Sequence, residues 1–138
     1  MDFHIFPVTG CRELPFGLAR SQVRSLVPGR VESPFRTSEE DGFLDAGLFA
    51  LFDKNERLNA VELFEPARVF LGGHQLLGMP LGEAKRLLAA AGGDVEEEDA
   101  GASCANIGIG LYVPSARDYP NDPVETVIVF KEGYYDQT

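Results

Sequence analysis

Histidine and cysteine are scarce in this chain of 138 residues, with two of each. Cys11 and Cys104 make no disulfide framework, and neither belongs to a C-x-x-C pair. Both are expected as free thiols in a reducing compartment. His4 and His74 lie in surroundings without metal-ligand spacing, so no metal or other cofactor is expected. No run of ~18 apolar residues occurs, which excludes a spanning helix. The opening "MDFHIFPVTG" has an acidic second residue, Pro7 and no long apolar stretch. It is not a recognisable signal peptide, and a cytoplasmic location is expected. Basic residues are also short, 12 against 22 acidic ones, for a formal net charge of −10. That charge repels phosphates and anionic headgroups, arguing against nucleic acid and membrane partners and for a basic one.

Catalytic signatures are missing too. There is no G-x-S-x-G, no H-E-x-x-H, no phosphate-binding loop and no dinucleotide fingerprint. The glycine-rich "LGGHQLLG" (71–78) lacks the Lys-Ser/Thr of a phosphate cradle and is expected as a turn joining strand to helix. Neither cysteine has a neighbour that would activate a thiolate for a Cys-His pair.

What the chain does have is the composition of a folded domain, 44% hydrophobic and 25% charged. Its length suits one domain over 1–138 that buries roughly 65–70% of its unfolded surface. It also has internal similarity. "FGLARSQVRSLV" (16–27) and "LLGMPLGEAKRLL" (77–89) align when Gly17 is set on Gly78, a shift of 61. "AGLFALF" (46–52) meets "IGIGLYV" (107–113) at the same shift, and "LNAVELF" (58–64) meets "VETVIVF" (124–130) at 66. The five extra residues fit inside a connecting turn.

Each unit reads as a strand, a helix and a strand pair. Leu81, Ala84, Leu87, Leu88 and Ala91 fall on one helical stripe, which Pro80 opens and Gly92–Gly93 close. Val23, Leu26 and Val27 form a narrower stripe that ends at Pro28–Gly29. Hairpins are expected around "DKNER" and around "PSARDYPNDP", with "FHIF" (3–6) and "ARVFL" (67–71) as leading strands. Leu48, Phe52, Val61, Leu63, Ile109, Val124 and Ile128 are the expected core, with Phe49, Leu51, Val127 and Val129 on the opposite face. The expected fold is α+β. Two tandem β-α-β-β repeats, 1–66 and 67–138, share one antiparallel sheet, with a helix from each packed on it. A unit of ~65 residues alone buries only a marginal core, so the two are expected to fold together about a pseudo-twofold axis.

Two acidic runs stand out, "SEED" (38–41) and "DVEEEDA" (94–100). Both are expected in comparable loops between helix and hairpin, presenting Glu39, Glu40 and Asp41 in one and Glu96, Glu97, Glu98 and Asp99 in the other. Neither has calcium-loop spacing. Opposite a basic protein they would speed association and select the partner. The long second turn carries Pro114, Pro120 and Pro123 around Tyr119, a stiffened loop with an aromatic tip suited to contact. Tyr134 and Tyr135 in the tail "KEGYYDQT" are expected to cap the sheet edge.

The stretches "GLFALFDKNERLNAVELFEPARVFLGGHQLLG" and "VETVIVFKEGYYD" resemble a group of small bacterial proteins that act as immunity partners of secreted polymorphic toxins. The resemblance implies an intracellular, non-catalytic protein that covers a basic toxin domain, a nuclease among the candidates. A single unit is also similar to the helix-then-strands unit of β-lactamase-inhibitor-like proteins and small outer-membrane-assembly lipoproteins. The expected function is therefore a non-catalytic interaction protein. The alternatives are a small-ligand or regulatory module with a pocket between sheet and helices, and a hydrolase using carboxylates with His74.

Overall fold

The computed structural model describes residues 1–134. In chain order the elements are β1 (Asp2–Phe6), β2 (Gly10–Cys11), α1 (Arg20–Leu26), β3 (Glu40–Phe43), a 3-10 turn (Leu44–Ala46), β4 (Leu48–Phe52) and β5 (Leu58–Phe64). There follow β6 (Arg68–Leu71), β7 (His74–Gln75), α2 (Leu81–Ala90), β8 (Glu96–Glu98), β9 (Gly101–Cys104), β10 (Ile109–Tyr112) and β11 (Thr126–Phe130). The fold is α+β, as expected. None of the helices among the described residues is long and apolar enough to cross a membrane.

The strands form two sheets rather than one. Seven run antiparallel in the order β3-β4-β5-β11-β10-β9-β8. Four make a smaller sheet, β2-β1-β6-β7, whose central pair β1–β6 is parallel. The expectation of one shared sheet is corrected here, and the reason is geometric. Both edges of β5 are taken by β4 and β11, so the leading strands pair with each other instead. Their buried side chains, Phe3 and Ile5 with Val69 and Leu71, enter the same core as Leu48, Ala50, Val61, Leu63, Val127 and Val129. The helices add Val23, Ala84 and Leu88.

Side chains alternate along each strand, and residues directly opposite on antiparallel neighbours share a face. One face of the large sheet is therefore core, and the other carries Phe49, Glu62, Phe64, Thr126 and Ile128, all half-buried. Ile128 thus trades places with Val127 and Val129, which are buried. The inversion has a local cause. Val124 precedes the strand, held by hydrogen bonds between its own N–H and C=O and Met79 and Gly78, so it does not set the parity of β11. Leu26, expected on a helical stripe, is half exposed, because Arg20, Val23 and Val27 occupy the inward positions of this single short helix. Ala91 is exposed as well. The glycine-rich stretch includes a strand, since β7 folds back on β6 through Gly72–Gly73, both at positive φ.

The registers of the two halves correspond residue for residue. In β4–β5 Leu48 faces Leu63 and Ala50 faces Val61, while in β10–β11 Ile109 faces Val129 and Leu111 faces Val127. These pairs differ by 61 on one strand and 66 on the other. The four pairs of β3–β4, from Glu40↔Leu51 to Phe43↔Leu48, recur at a shift of 61 as the four pairs of β9–β10. The Gly17 N–H to Leu58 C=O bond of 3.0 Å has its counterpart in Gly78 to Val124, 2.9 Å. Between the halves, β5 pairs with β11 so that Glu62 faces Ile128, the residue 66 positions on.

Candidate functional site

The first acidic run is built into the fold and is not a loop. Glu40 and Asp41 lie in β3 at 2% and 0% exposure, and only Glu39 is open to solvent. Asp41 points to the helix side. Its Oδ1 accepts Arg20 Nε at 3.1 Å and Nη2 at 2.7 Å, and its Oδ2 accepts Arg24 Nε at 2.8 Å. Burial alone would raise this carboxyl, but the hydrogen bonds from Arg24 and Arg20 outweigh it and hold the group well below the usual carboxylate range. The helix places those arginines one turn apart on the same side. Arg20 also reaches the Ser38 carbonyl at 2.9 Å and lies 5.0 Å from the Phe52 ring centre.

Glu40 points to the opposite, open face. There Arg36 donates to both Glu40 and Glu62 and sits 4.7 Å from the Phe49 ring centre. Phe35 stacks at 4.7 Å on Phe49, which in turn meets Phe64 at 4.7 Å. Here too burial opposes ionisation, and the Arg36 side chain and N–H prevail, lowering the Glu40 carboxyl. Glu40 is thus spent on Arg36 of segment 33–38, and Asp41 on the two α1 arginines, which themselves reach Ser38 and Ser33. The expectation that Glu40 and Asp41 form part of an exposed patch is corrected by that burial.

The second run is different. Glu96, Glu97 and Glu98 form the edge strand β8 and are exposed, as is Asp99. Glu97 is on the helix side and pairs with Lys85 of α2. Glu96 and Glu98 face Ser103 and Gly101, which puts them on the open side of the sheet. Glu98 borders a groove of about 510 Å³ with Gly110, Tyr112 and Ile128 in its lining and Glu62 at its margin, while Glu96 lines a separate hollow with Lys85 and Arg86 of α2. A second hollow, of about 720 Å³, adjoins it past Phe64 and Thr126 toward Leu77 and Arg68. Tyr119 is 64% exposed. Its loop is tied by Ser115 Oγ to Asp122 at 2.6 Å, and Asn121 accepts the Gly82 N–H of α2 at 3.1 Å.

Reactive groups do not converge. The His4 ring is 2.7 Å from Glu13 Oε2 and stacks on Phe70, while the His74 side chain is exposed and makes no hydrogen bond or ion pair among the described residues. Burial pushes the Cys11 thiol up to about 12, helped by Glu13, and raises Cys104, helped by Asp94. Among the described residues no group of three or more His, Cys, Asp or Glu is placed to hold a metal ion. Tyr134 packs against Phe130 at 6.2 Å; Tyr135 lies outside the described residues.

Sequence reasoning missed Arg20, Arg24, Arg36 and Glu62. A signal was present: Arg20 stands where the second helix has Leu81, and an arginine at an inward position requires a buried acid. Fold and site together describe an α+β protein with one sheet face covered and the other open, acidic at its margin. No family model matches the chain, and no curated protein or solved structure does either.

Proposed function

We propose that this chain is a duplicated, non-catalytic interaction protein that holds a basic polypeptide against the open face of its seven-stranded sheet. An immunity protein covering a basic toxin domain in a reducing cytoplasm is the narrowest form of this reading. The matching registers at shifts of 61 and 66 support the duplication. The two buried, free cysteines fit a reducing compartment.

One observation carries the reading: the acidic side chains divide into two sets. Asp41 and Glu40 are consumed by internal arginines, whereas Glu96, Glu98 and Asp99 are exposed and have no ion-pair partner among the described residues. Concentrated, uncommitted charge beside an apolar groove attracts an opposite charge and then buries area.

The test is capture from the source cell's lysate and secreted fraction. Wild type is compared with the variant Glu96→Gln/Glu98→Gln/Asp99→Asn, and with Tyr119→Ala. The expected result is a basic protein held by wild type and by Tyr119→Ala but released by the charge-neutralised chain. A partner lost only with Tyr119→Ala would move the contact to that loop. Retention of no protein would overturn the reading.

A further inference from the structure

The first half of the chain covers its own share of the open face. Phe35 lies against Phe49 and over Gly42, where an added Cβ would come within 2.9 Å of its ring. The Phe35 N–H donates to the Glu40 carbonyl at 2.9 Å, and Arg36 spans Glu40 and Glu62. An aromatic residue followed by an arginine is thus laid across the strands as a flap.

The second half has the bed without the flap. By register, Gly42 corresponds to Ser103, Phe49 to Gly110, Leu51 to Tyr112 and Glu62 to Ile128. The approach to both beds is alike, because Glu32 bridges Gly42 as Glu96 pairs with Ser103. From Glu32 the chain takes the detour "SPFRTSE" before β3, whereas from Glu96 it returns through Glu97–Ala100 to β9. No residues remain to fold over, and the groove of about 510 Å³ occupies this bed. Gly110 carries no side chain where the first half has Phe49, and Ile128 leans into that place, its Cγ2 2.6 Å from where a Cβ would stand, so the floor of the groove is apolar. Glu98 supplies a carboxylate without an ion-pair partner among the described residues, whereas Glu62 and Arg36 in the same lining are committed to each other, and Arg36 to Glu40 as well.

We propose that this groove binds, from a partner polypeptide, an extended segment in which an aromatic residue precedes an arginine. The ring lies against Ile128 and Tyr112, and the guanidinium reaches Glu98, the carboxylate of the lining with no ion-pair partner among the described residues. The inference rests on the interaction-protein reading above and names the chemistry of its contact. A planar guanidinium suits a carboxylate better than an ammonium does, and it keeps its charge when partly buried.

The probe is a fluorescently labelled peptide with the chain's own residues 33–38, Ser-Pro-Phe-Arg-Thr-Ser, read by anisotropy against the full chain. Companion peptides carry Phe→Ala, Arg→Lys or Arg→Glu. Saturable binding is expected that weakens as salt is raised. Removing the ring, or reversing the arginine's charge, should cost about tenfold or more. Glu98→Gln should weaken the parent peptide several-fold. Ser103→Trp, which fills the groove, should abolish binding while the protein's thermal melt is unchanged. The Ser103 variant also separates this bed from displacement of the resident flap. Absence of saturable binding, equal binding of the Arg→Glu peptide, or full binding by folded Ser103→Trp would each overturn the proposal. If a basic protein is captured through the acidic edge and the peptides still fail, only this proposal falls. If the peptides bind and no protein is captured, the groove chemistry stands without the broader reading.

Discussion

Replacing Asp41 with asparagine removes one charge and almost no volume, so it isolates what the buried carboxylate contributes. The wild-type side chain is 0% exposed and receives four hydrogen bonds of 2.7–3.1 Å from two guanidinium groups. In Asp41→Asn the amide nitrogen faces donors it cannot accept from, and Arg20, only 10% exposed, keeps as counter-ion only the exposed Glu56, 3.5 Å away. Breaking a buried pair in this way costs about 3–5 kcal/mol. At this chain length that corresponds to roughly 10–15 °C in melting temperature. The assay is urea unfolding at pH 7 followed by far-UV circular dichroism, with the slope compared so that a change in the denatured state is not mistaken for one in stability. The double variant Arg20→Leu/Asp41→Ala copies the Leu81 and Ala102 of the second half and strands no charge at Arg20. Its loss should not exceed that of Asp41→Asn. The pH dependence follows with a definite sign. Asp41 titrates lower in the folded chain than its unfolded value near ~3.9, so its stabilisation is complete above that value. It is lost as pH falls toward the folded value, and Asp41→Asn should show a shallower acid limb than wild type below about pH 4. A loss under about 1 kcal/mol at pH 7 would refute the reasoning, since it would place the network among weak surface pairs.

Two other expectations can be checked on purified protein. Gly47 and Gly108 sit at φ of +73° and +70°, and a Cβ would come within 2.1 Å of the Phe64 carbonyl oxygen and 2.3 Å of the Phe130 one. Gly47→Ala and Gly108→Ala should each cost more than about 2 kcal/mol in unfolding experiments, and a wild-type melt for either would contradict the close approach. Cys11 and Cys104 are 1% and 0% exposed, with thiols raised above their usual range. Iodoacetamide at pH 8 should leave both unmodified in native protein and alkylate both in urea, as read by intact mass. Rapid native labelling would show that burial does not protect them.

The parts of the fold that were legible from residues alone are the local ones. "LNAVELF" is β5 to the residue, because its alternation and the charged turn before it act over a few positions. The correspondence of the hairpins at 61 and 66 was visible for the same reason. The division into two sheets was not, since the β1–β6 pairing joins residues 66 apart and depends on which edges of β5 are already taken. Side-chain direction in β11 was lost through a single parity error at Val124. The acidic runs show the same limit in the site. Composition cannot tell a solvated carboxylate from one neutralised internally, and Asp41 finds its arginines 21 and 17 residues earlier on α1. Glu96 and Glu98 stand exposed on an edge strand and have no ion-pair partner among the described residues.

The shared strands also set an order on synthesis. β1 pairs through Asp2–His4 with β6, made 66 residues later, and β5 pairs with β11, made 62 to 70 residues later. At about 5–20 residues per second, each waits roughly 3–13 s for its neighbour. Through that interval the apolar side chains of the first half lack the cover that the second half supplies. A nascent chain that pauses before β11 presents the unpaired edge of β5, Leu58–Phe64, as its most vulnerable segment.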